Sequence, residues 1–517
     1  MLLRLWPADR RRFCRIAFLL LLLLSWLLLN LQLDRNSLWT DELFTATWTH
    51  LSVSELIQRT ADDFHPPFYF LLVQAWVKIA GHNDFALRWP SVVSGWLSIS
   101  VLYRLVLLLD QSAARRPWQA GVIGQPVALF ASGMWSFSPL FILYTRMARY
   151  YALTALLTLV ATAVLLRALR PRSGLLWWAA YMTVATLSVY TFYLSGLALL
   201  AHGCYVLLTQ RARWRQWLLA SGGVAALLSP WIGVVGDQVA RTGGGAADLA
   251  FGPAGIVMKV AYSAYAVAVG ESLLPWRPPA IIAGLAALVL FVVGMLRWQR
   301  RGLAWPLIIL LVVPMGGVIA VITALSPRTP FVSVPGRAFF ATPFFAVVLA
   351  GAVEWRRRWF RLLLASLVVG WSVGLWSYFH ATEHLNPIYA TPSKEIVQFV
   401  TLRSKPGDMI YSDWDSGFEY YYRQSDASTP LFSDPDMARQ HIAEGRVNRV
   451  WLIVLGRDQT ERYFQGSAAF REWLSTQATL IEAWGFVPLD PLYVRIKSAL
   501  LGREVAPHRV KVELYEL

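Results

Sequence analysis

The chain has 517 residues, of which 56% are hydrophobic and only 15% are charged. Long runs of Leu, Val and Ala recur through residue 379, a pattern that excludes an ordinary soluble protein and predicts a polytopic membrane protein. The net charge of +16 does not indicate a nucleic-acid partner, because the arginines cluster in short links between apolar runs. Two cysteines, Cys14 and Cys204, do not imply a disulfide framework.

The first apolar run, Ile16 to Leu33, follows the basic stretch Arg10 to Arg15. It is long for the apolar region of a signal peptide and has no clear small-residue cleavage site, so it is predicted to be a retained span. The pattern of apolar runs predicts eleven spans in all, near residues 16–33, 91–109, 119–143, 151–167, 175–191, 194–210, 217–236, 280–296, 303–324, 338–354 and 361–379.

Clusters of arginine orient these spans in the membrane. If the N-terminus is cytoplasmic, every second link is basic, as the positive-inside rule requires. An odd number of spans then places the C-terminus on the extracytoplasmic side, with the outer segments at 34–90, 144–150, 237–279, 325–337 and after His380. The basic links are Arg115-Arg116, Arg167 to Arg172, Arg211 to Arg215, Arg297 to Arg301 and Arg356 to Arg361.

Two acidic residues, Asp41 and Glu42, lie a few positions after the first span, where the topology predicts the non-cytoplasmic surface. Carboxylates at that boundary suit the deprotonation of a hydroxyl group beside a lipid-linked donor in the bilayer. The structural alternative is that Thr40 caps a helix and the two carboxylates complement its dipole.

The rest of the first outer segment is predicted to be structured. Ser52 and Glu55 have the spacing of a capping box, which predicts a short helix from that point. His65-Pro66-Pro67 should break regular structure. The apolar stretch Phe68 to Ala80 is too short to cross a core of ~30 Å, so we expect it to lie along the membrane surface.

Another apolar stretch, Ala254 to Leu274, contains Lys259 and Glu271 and is either a twelfth span or an interfacial helix. The interfacial interpretation is favoured, because one more span would place the later arginine clusters outside.

After His380 the composition changes, and residues 386–517 are predicted to form a small extracytoplasmic α/β domain. Residues 1–385 are then the membrane domain. The predicted elements of the small domain are a helix near Ser393 to Thr401, a turn at Lys405 to Asp408, strands at Met409 to Ser412, Arg449 to Leu455 and Val510 to Tyr515, and a helix at Ala468 to Gln477.

Five short motifs occur in an order that resembles one family. They are Trp39-Thr40-Asp41-Glu42; His65-Pro66-Pro67-Phe68-Tyr69; Leu87-Arg88-Trp89-Pro90-Ser91; Ser138-Pro139 followed by Tyr144 to Leu153; and Pro335-Gly336-Arg337 before Pro343. Together they resemble the GT-C membrane glycosyltransferases, in particular the bacterial and archaeal relatives of protein O-mannosyltransferases and aminoarabinose transferases. The resemblance covers roughly residues 16–380, and a trailing domain is also typical of bacterial members.

The resemblance implies an enzyme of the prokaryotic cytoplasmic membrane that takes a sugar from a polyprenyl phosphate and inverts its anomeric centre. The sugar is expected to be a mannose-like hexose or a modified pentose, and the acceptor a hydroxyl group of a protein, lipid or glycan. No nucleic acid partner is expected. Two other classes stay open: a polytopic transporter and a non-catalytic lipid-binding protein. The polar residues gather at one surface and no inverted repeat is visible, which disfavours a transporter.

The resemblance also indicates which residues form the site. Asp41 is predicted to be the catalytic base, and Glu42 either orients Asp41 or the acceptor or caps the helix. The donor phosphate is predicted to bind to Arg337, Arg149, Arg146 and His65. Arginine suits this task because it keeps its charge near lipid and binds phosphate through two nitrogen atoms. The alternatives are that His65 caps the surface helix that follows it and that arginines at span ends only reach to the lipid headgroups. The family usually has Arg-Tyr-Leu where this chain has Arg337-Ala338-Phe339.

Three further expectations concern neighbouring residues. Tyr150 and Trp39 are predicted to stack on the substrate, although aromatic residues also line membrane interfaces. Arg88 is expected to anchor the start of the second span. Asp62 and Asp63 could join Asp41 around a divalent metal ion, but no obligatory metal or other cofactor is expected.

Overall fold

A computed structural model describes residues 7–113, 124–242, 252–325, 331–412, 416–455, 465–502 and 504–517. The chain divides into two compact units. The first consists of Met1–Leu33 and Thr45–Phe379, and the second of Asp34–Phe44 and His380–Leu517. The predicted boundary at 385/386 lies close to the one between Phe379 and His380. The sequence placed Asp34–Phe44 with the membrane domain, whereas its contacts group it with the second unit.

The first unit is helical, because apolar segments that cross a bilayer must form their backbone hydrogen bonds within the segment. Its described helices are α1 (Pro7–Asn30), α2 (Thr40–Trp48, which begins in the second unit), α3 (Val53–Asp62), α4 (Phe68–Ala80), α5 (Asp84–Ala113), α6 (Gly124–Ser136), α7 (Pro139–Thr145), α8 (Tyr151–Ala168), α9 (Leu175–Thr191), α10 (Gly196–Thr209), α11 (Trp214–Leu228), α12 (Ile232–Thr242), α13 (Gly252–Val269), α14 (Pro278–Arg300), α15 (Ala304–Leu325), α16 (Val334–Ala338), α17 (Pro343–Ala350) and α18 (Arg358–His380).

Within the described ranges, seven helical segments are long and apolar enough to cross a membrane, or up to nine if each of two bent helix pairs is one span. These nine coincide with nine of the eleven predicted spans. The other two predicted spans correspond to the 17-residue α9 and to the shorter apolar helix Tyr193–Thr209. The predicted class, a polytopic helical membrane protein with a small α/β domain, is confirmed. The Arg115-Arg116 link lies outside the described residues.

Two of the predicted spans are broken rather than continuous. The pair α6 and α7 bends by 60°, and Phe331–Ala341 with α17 bends by 67°. Each second helix begins with a proline, Pro139 or Pro343, which lacks the N–H that a continuous helix would use. Ser138 caps α7 by accepting a hydrogen bond from the N–H of Phe141. The breaks therefore place polar side chains and irregular backbone inside the helical unit.

The predicted helices of the first outer segment are confirmed. The Ser52 hydroxyl accepts from the N–H of Glu55, and the Glu55 carboxylate accepts from the N–H of Ser52, so the capping box is complete. Helix α4 has the predicted bounds. The location of α4 at the membrane surface and the interfacial location of α13 stay predictions.

The second unit contains a five-stranded mixed sheet. Its strands are β1 (Asp408–Ser412), β2 (Leu431–Phe432), β3 (Arg449–Leu455), β4 (Thr479–Pro488) and β5 (His508–Glu516), in the order β2-β1-β3-β5-β4. β1 is parallel to β2 and β3, whereas β5 is antiparallel to β3 and β4. The helices are α19 (Ser393–Thr401), α20 (Ser416–Arg423), α21 (Pro435–Ala443), α22 (Gln465–Gln477) and α23 (Pro491–Leu501).

The segment Asp34–Phe44 is bound to the second unit by hydrogen bonds. The N–H of Leu38 donates to the Tyr421 hydroxyl over 2.7 Å. The backbone N–H of Lys394 donates to the Ser37 hydroxyl over 3.0 Å, and the Lys394 ammonium donates to the Asp34 carbonyl over 2.6 Å. These bonds hold the chain immediately before Asp41.

Candidate active site

The first unit brings Asp63, His65 and Arg149 together. Nδ1 of His65 lies 2.6 Å from Oδ2 of Asp63, and Nε2 of His65 lies 2.8 Å from Nη2 of Arg149. Arg149 is buried, with 1% of its surface exposed, whereas the side chains of His65 and Asp63 are 21% and 33% exposed. The cluster therefore combines a buried guanidinium group with an imidazole and a carboxylate that solvent or a ligand can reach.

The protonation of His65 follows from these two contacts. A guanidinium group has only donors, so Nε2 of His65 must accept from Arg149. Nδ1 then carries the proton and donates it to Asp63. Burial acts to raise the pKa of Asp63, but the hydrogen bond and the electrostatic interaction with His65, the N–H of Phe64 and the charge of Arg149 hold that pKa below its usual range. The cluster thus contains one carboxylate, one neutral imidazole and one guanidinium.

Aromatic rings pack around the cluster. The Arg149 guanidinium lies 5.1 Å from the ring centroid of Tyr150 and 5.9 Å from that of Phe70, within the range of a cation–π interaction. The His65 ring centroid lies 5.5 Å from that of Tyr150. Tyr150 is stacked on Phe192 at 4.5 Å and is 3% exposed, so its ring already has a partner on one side. Its stacking on a substrate stays a prediction.

A hydrogen-bond chain through three of the sequence motifs positions Arg149. The hydroxyl groups of Tyr69 and Ser91 are 2.9 Å apart, and the Ser91 hydroxyl donates to the carbonyl oxygen of Arg149 over 2.9 Å. Both side chains are fully buried. In addition, the Thr45 hydroxyl, four residues after Asp41 in α2, donates to the carbonyl of Ala148. These hydrogen bonds therefore fix the turn of the backbone that carries Arg149.

Two helices begin next to the cluster. α4 starts at Phe68, directly after His65-Pro66-Pro67, and α8 starts at Tyr151, two residues after Arg149. The first N–H groups of a helix have no intrahelical acceptor, and the helix dipole makes this end positive. The backbone therefore adds to the positive potential that Arg149 creates for an anion.

Arg146 has different partners from Arg149. Its guanidinium donates to the carbonyl oxygens of Leu28, Leu29 and Gln32 at the end of α1 and to the hydroxyl of Tyr378. Arg88 donates to the carbonyl of Leu33 just beyond. Both arginines are buried, at 4% and 5% exposure. They hold the end of the first span, and phosphate binding by Arg146 stays a prediction.

Arg337 is half-buried and donates to the carbonyl of Ser333, one turn earlier. The preceding Gly336 packs directly on Tyr144, since a Cβ on this glycine would lie 2.7 Å from the ring. The Tyr144 hydroxyl in turn donates to Glu271 over 3.1 Å. Phosphate binding by Arg337 stays a prediction.

The sequence interpretation gave no role to Glu271, although an acidic residue in an apolar stretch was a signal for one. It lies in the turn between α13 and α14 and is 1% exposed. Burial raises the pKa of Glu271 to about 8, although the hydrogen bond from Tyr144 acts in the opposite direction. Burial therefore favours the neutral form of this carboxyl group, which accepts from Tyr144.

The second unit contains Trp39, Asp41 and Glu42. Asp41 and Glu42 are in the first turn of α2, and the Glu42 carboxylate accepts from the N–H of Trp39 over 3.2 Å. Glu42 thus caps the N-terminus of α2, as the helix-capping alternative for this residue predicted. Asp41 is half-buried. The Trp39 ring packs edge-on against Tyr389 at 4.9 Å. Its indole N–H has no acceptor among the described residues. The assigned roles of these residues stay predictions.

The expectation about metal ions also stays a prediction. Among the described residues, no three His, Cys, Asp or Glu side chains are grouped to hold a metal ion. Asp63, one of the candidate ligands, is hydrogen-bonded to His65 instead. This pairing was not predicted from the sequence. The available signal was that Asp63 and His65 are only two residues apart.

Comparisons with known proteins agree with this fold. Residues 64–233 match the family of dolichyl-phosphate-mannose-protein mannosyltransferases. The apo structure of ArnT from Cupriavidus metallidurans is similar with a TM-score of 0.52 and 13% identity, covering 96% of this chain and 97% of that chain. No match to a curated protein was found.

Two other solved structures are also similar. ArnT from Cupriavidus metallidurans bound to undecaprenyl phosphate has a TM-score of 0.47 and 13% identity, covering 96% of this chain and 97% of that chain. The oligosaccharyltransferase AglB from Archaeoglobus fulgidus, in complex with an inhibitory peptide and a dolichol-phosphate, has a TM-score of 0.48 and 11% identity, covering 89% of this chain and 71% of that chain.

The matched segment 64–233 contains His65, Arg146 and Arg149, and the fold of apo ArnT extends over almost the whole chain. The resemblance that the motifs indicated is thereby confirmed. Residues 64–233 thus resemble the dolichyl-phosphate-mannose-protein mannosyltransferase family, and the chain as a whole has a fold similar to that of apo ArnT.

Proposed function

We propose that the protein transfers a sugar from a polyprenyl-phosphate donor to an extracytoplasmic hydroxyl group with inversion. The observation that carries this proposal is the buried Arg149 guanidinium held against the accessible imidazole of His65. A buried cation at a membrane surface suits a lipid phosphate, because it cannot lose its proton there. The family description names dolichyl-phosphate-mannose, which supports this donor class and a mannose-like hexose, with a modified pentose as the other candidate.

In the proposed reaction, Asp41 accepts the proton of the acceptor hydroxyl. The oxygen then attacks the anomeric carbon from the face opposite the phosphate. The bond between the anomeric carbon and the phosphate oxygen breaks, and its electron pair remains on the phosphate. The leaving group gains one negative charge, which Arg149, His65 and Arg337 stabilise. Attack from the opposite face inverts the anomeric centre.

Trp39 is proposed to bind the sugar. Its indole ring offers an apolar surface, and its N–H, which has no acceptor among the described residues, suits a sugar oxygen. Tyr150 is proposed to act from the phosphate side, because its ring lies beside both His65 and Arg149. Arg146 is proposed to have a structural role instead, since its guanidinium donates to carbonyl oxygens at the end of α1.

The test is turnover by the purified protein in lipid nanodiscs. Polyprenyl phosphate released from a polyprenyl-phospho-mannose donor is measured with and without an acceptor, and the anomeric configuration of the product is determined. We expect Arg149→Gln to abolish turnover and Arg361→Gln, at an exposed position in α18, to retain it. If the wild-type protein bound the donor but showed no turnover with any protein, lipid or glycan acceptor, the lipid-binding alternative would be favoured instead.

The orientation and the metal requirement belong to the same proposal. The N-terminus is proposed to be cytoplasmic and residues 386–517 extracytoplasmic, because the arginine clusters then lie on the cytoplasmic side.

The reaction is proposed to need no metal ion, since the leaving phosphate is stabilised by side-chain cations. Turnover should therefore be the same in excess EDTA as in excess magnesium.

A further inference from the structure

The cluster of Asp63, His65 and Arg149 contains the one charge in the proposed phosphate site that can change near neutral pH. Arg149 stays protonated at all relevant pH values, whereas histidine can gain or lose a proton between about pH 5 and pH 8. Without ligand, the three residues carry charges of −1, 0 and +1, because Nε2 of His65 accepts from Arg149. The cluster is then neutral as a whole.

We infer that binding of the donor phosphate to this cluster is coupled to the uptake of one proton by His65, with Asp63 as the residue that positions the imidazole. The inference rests on the proposed function. In this inference, Asp63 positions the imidazole of His65, and His65 is positively charged only when phosphate is bound.

A phosphodiester brings one negative charge and only hydrogen-bond acceptors. If its oxygen takes the N–H that Arg149 now donates to His65, then Nε2 of His65 loses its donor and faces an anion. Protonation of Nε2 gives that atom a proton to donate to a phosphate oxygen. The proton comes from solvent, no covalent bond in the donor changes, and the charge added by the phosphate is balanced.

Asp63 makes this change possible without moving the ring. It accepts from Nδ1 over 2.6 Å, and Nδ1 is the donor in both the neutral and the protonated imidazole. A carboxylate at this distance also favours the charged imidazole. The 21% exposure of the His65 side chain gives a proton access from water, while Phe70 and Tyr150 pack beside the ring.

Other charged, titratable or aromatic groups also lie near the cluster. Tyr150 and Arg149 come from the turn before α8, and Phe70 in α4 carries no charge. The phenol of Tyr193 interacts electrostatically with Asp63. Arg241 donates to the carbonyl oxygens of Ala61 and Asp62 at the end of α3. Of these residues, His65 is the one whose ordinary titration lies near neutral pH.

The test is calorimetry of donor binding to the full-length protein in nanodiscs. The probe is polyprenyl-phospho-mannose, whose phosphodiester has no ionisation near neutral pH. Titration in two buffers with different ionisation enthalpies gives the number of protons taken up per donor bound. For wild type we expect uptake to rise towards one proton at the upper end of the range pH 6 to 8. The affinity should then fall by up to about tenfold per pH unit.

Four variants and one control separate the effect of charge from that of structure. His65→Lys carries a fixed charge and should bind donor with almost no proton uptake at pH 7. His65→Gln should bind more weakly and without pH dependence. Asp63→Asn should keep a hydrogen bond to Nδ1 but shift the pH at which affinity falls downwards by about one unit, and Asp63→Glu should reverse this shift. His50→Gln, at an exposed histidine of the same unit, should behave as wild type.

The outcomes are distinct. Donor binding by wild type without proton uptake, or equal uptake by His65→Lys, would overturn the coupling and leave the proposed function intact. An unchanged pH midpoint in Asp63→Asn would remove Asp63 from the coupling. Wild type that neither binds nor turns over polyprenyl-phospho-sugars at any pH would overturn the proposed function and the coupling with it.

Discussion

Arg146 donates from Nη1 to the carbonyl oxygen of Leu29 over a distance of 2.8 Å. Three residues later in the same motif, Arg149 donates from Nη2 to His65. The two arginines therefore have different partners although one motif contains both. Arg146 closes the C-terminal end of α1, where the carbonyl groups have no intrahelical donors, and Arg149 holds an imidazole that a ligand can reach.

Replacing Arg146 should therefore affect stability more than donor binding. Arg146→Gln removes charged hydrogen bonds to buried carbonyl oxygens, and we expect a loss of about 3 kcal/mol, seen as a lower midpoint of thermal unfolding in detergent. Arg361→Gln should leave the midpoint unchanged. If Arg146→Gln were as stable as wild type but no longer bound donor, Arg146 would be a phosphate ligand after all.

Asp41 and Glu42 can be separated by the same kind of substitution. Asp41→Asn should reduce turnover by about 10²–10⁴-fold and leave donor affinity nearly unchanged, because it removes only the proton acceptor. Glu42→Gln keeps an oxygen that can accept from the N–H of Trp39, so its turnover should be close to wild type. Wild-type turnover in Asp41→Asn, or an equal loss in Glu42→Gln, would contradict this division.

Local features of the fold were predictable because their causes are local. The capping box of Ser52 and Glu55 needs only two side chains three residues apart, and the bounds of α4 follow from one apolar run after two prolines. The bend before Pro139 was not predicted, because a span is recognised from the average hydrophobicity of many residues. That average does not register the single N–H that proline lacks, which ends α6. Both Pro139 and Pro343 were visible in the sequence as signals.

The site was predictable only as a set of residues. The motifs predicted that His65 and Arg149 both bind the phosphate. The hydrogen bond between them joins residues 84 positions apart and depends on the packing of α4 against the turn before α8. Likewise, Asp34–Phe44 belongs to the second unit through Tyr421, 383 positions from Leu38. Local sequence patterns do not specify such distant pairs.

The membrane orientation makes a separate prediction. Reporters fused after Arg213 or Arg357 should be cytoplasmic, and a reporter fused after Leu517 should be extracytoplasmic, because both arginines lie in basic links. The measurement is the activity of reporters that fold on only one side of the membrane. Finding the C-terminal reporter on the same side as the other two would contradict the odd number of spans.

The hydrogen bond from Leu38 to Tyr421 offers a way to test how the second unit supports Asp41. Tyr421→Phe removes the acceptor and loosens the segment before α2, so we expect kcat to fall about fivefold, equivalent to about 1 kcal/mol. The KM for donor should not change. Tyr422→Phe is the matched control, because this hydroxyl on the same helix donates to the carbonyl of Thr429. An equal effect of both variants would show a general loss of packing.

Glu271 should make stability depend on pH. The folded protein keeps the proton up to a pKa of about 8, whereas the unfolded chain releases it near the ordinary value of 4.5. The folded state therefore binds more protons between these values, and stability falls as the pH rises, by at most about 1.4 kcal/mol per pH unit.

Glu271→Gln keeps an acceptor for Tyr144 and has no proton to lose. It should be close to wild type at pH 5 and more stable than wild type at pH 8, with a gap that widens steadily between these values. The measurement is the midpoint of thermal unfolding at each pH. Glu395→Gln, at an exposed position of α19, should follow wild type throughout. A gap that stayed constant with pH would mean that the Glu271 carboxyl is already ionised in the folded protein, and the hydrogen bond from Tyr144 would then be to a carboxylate.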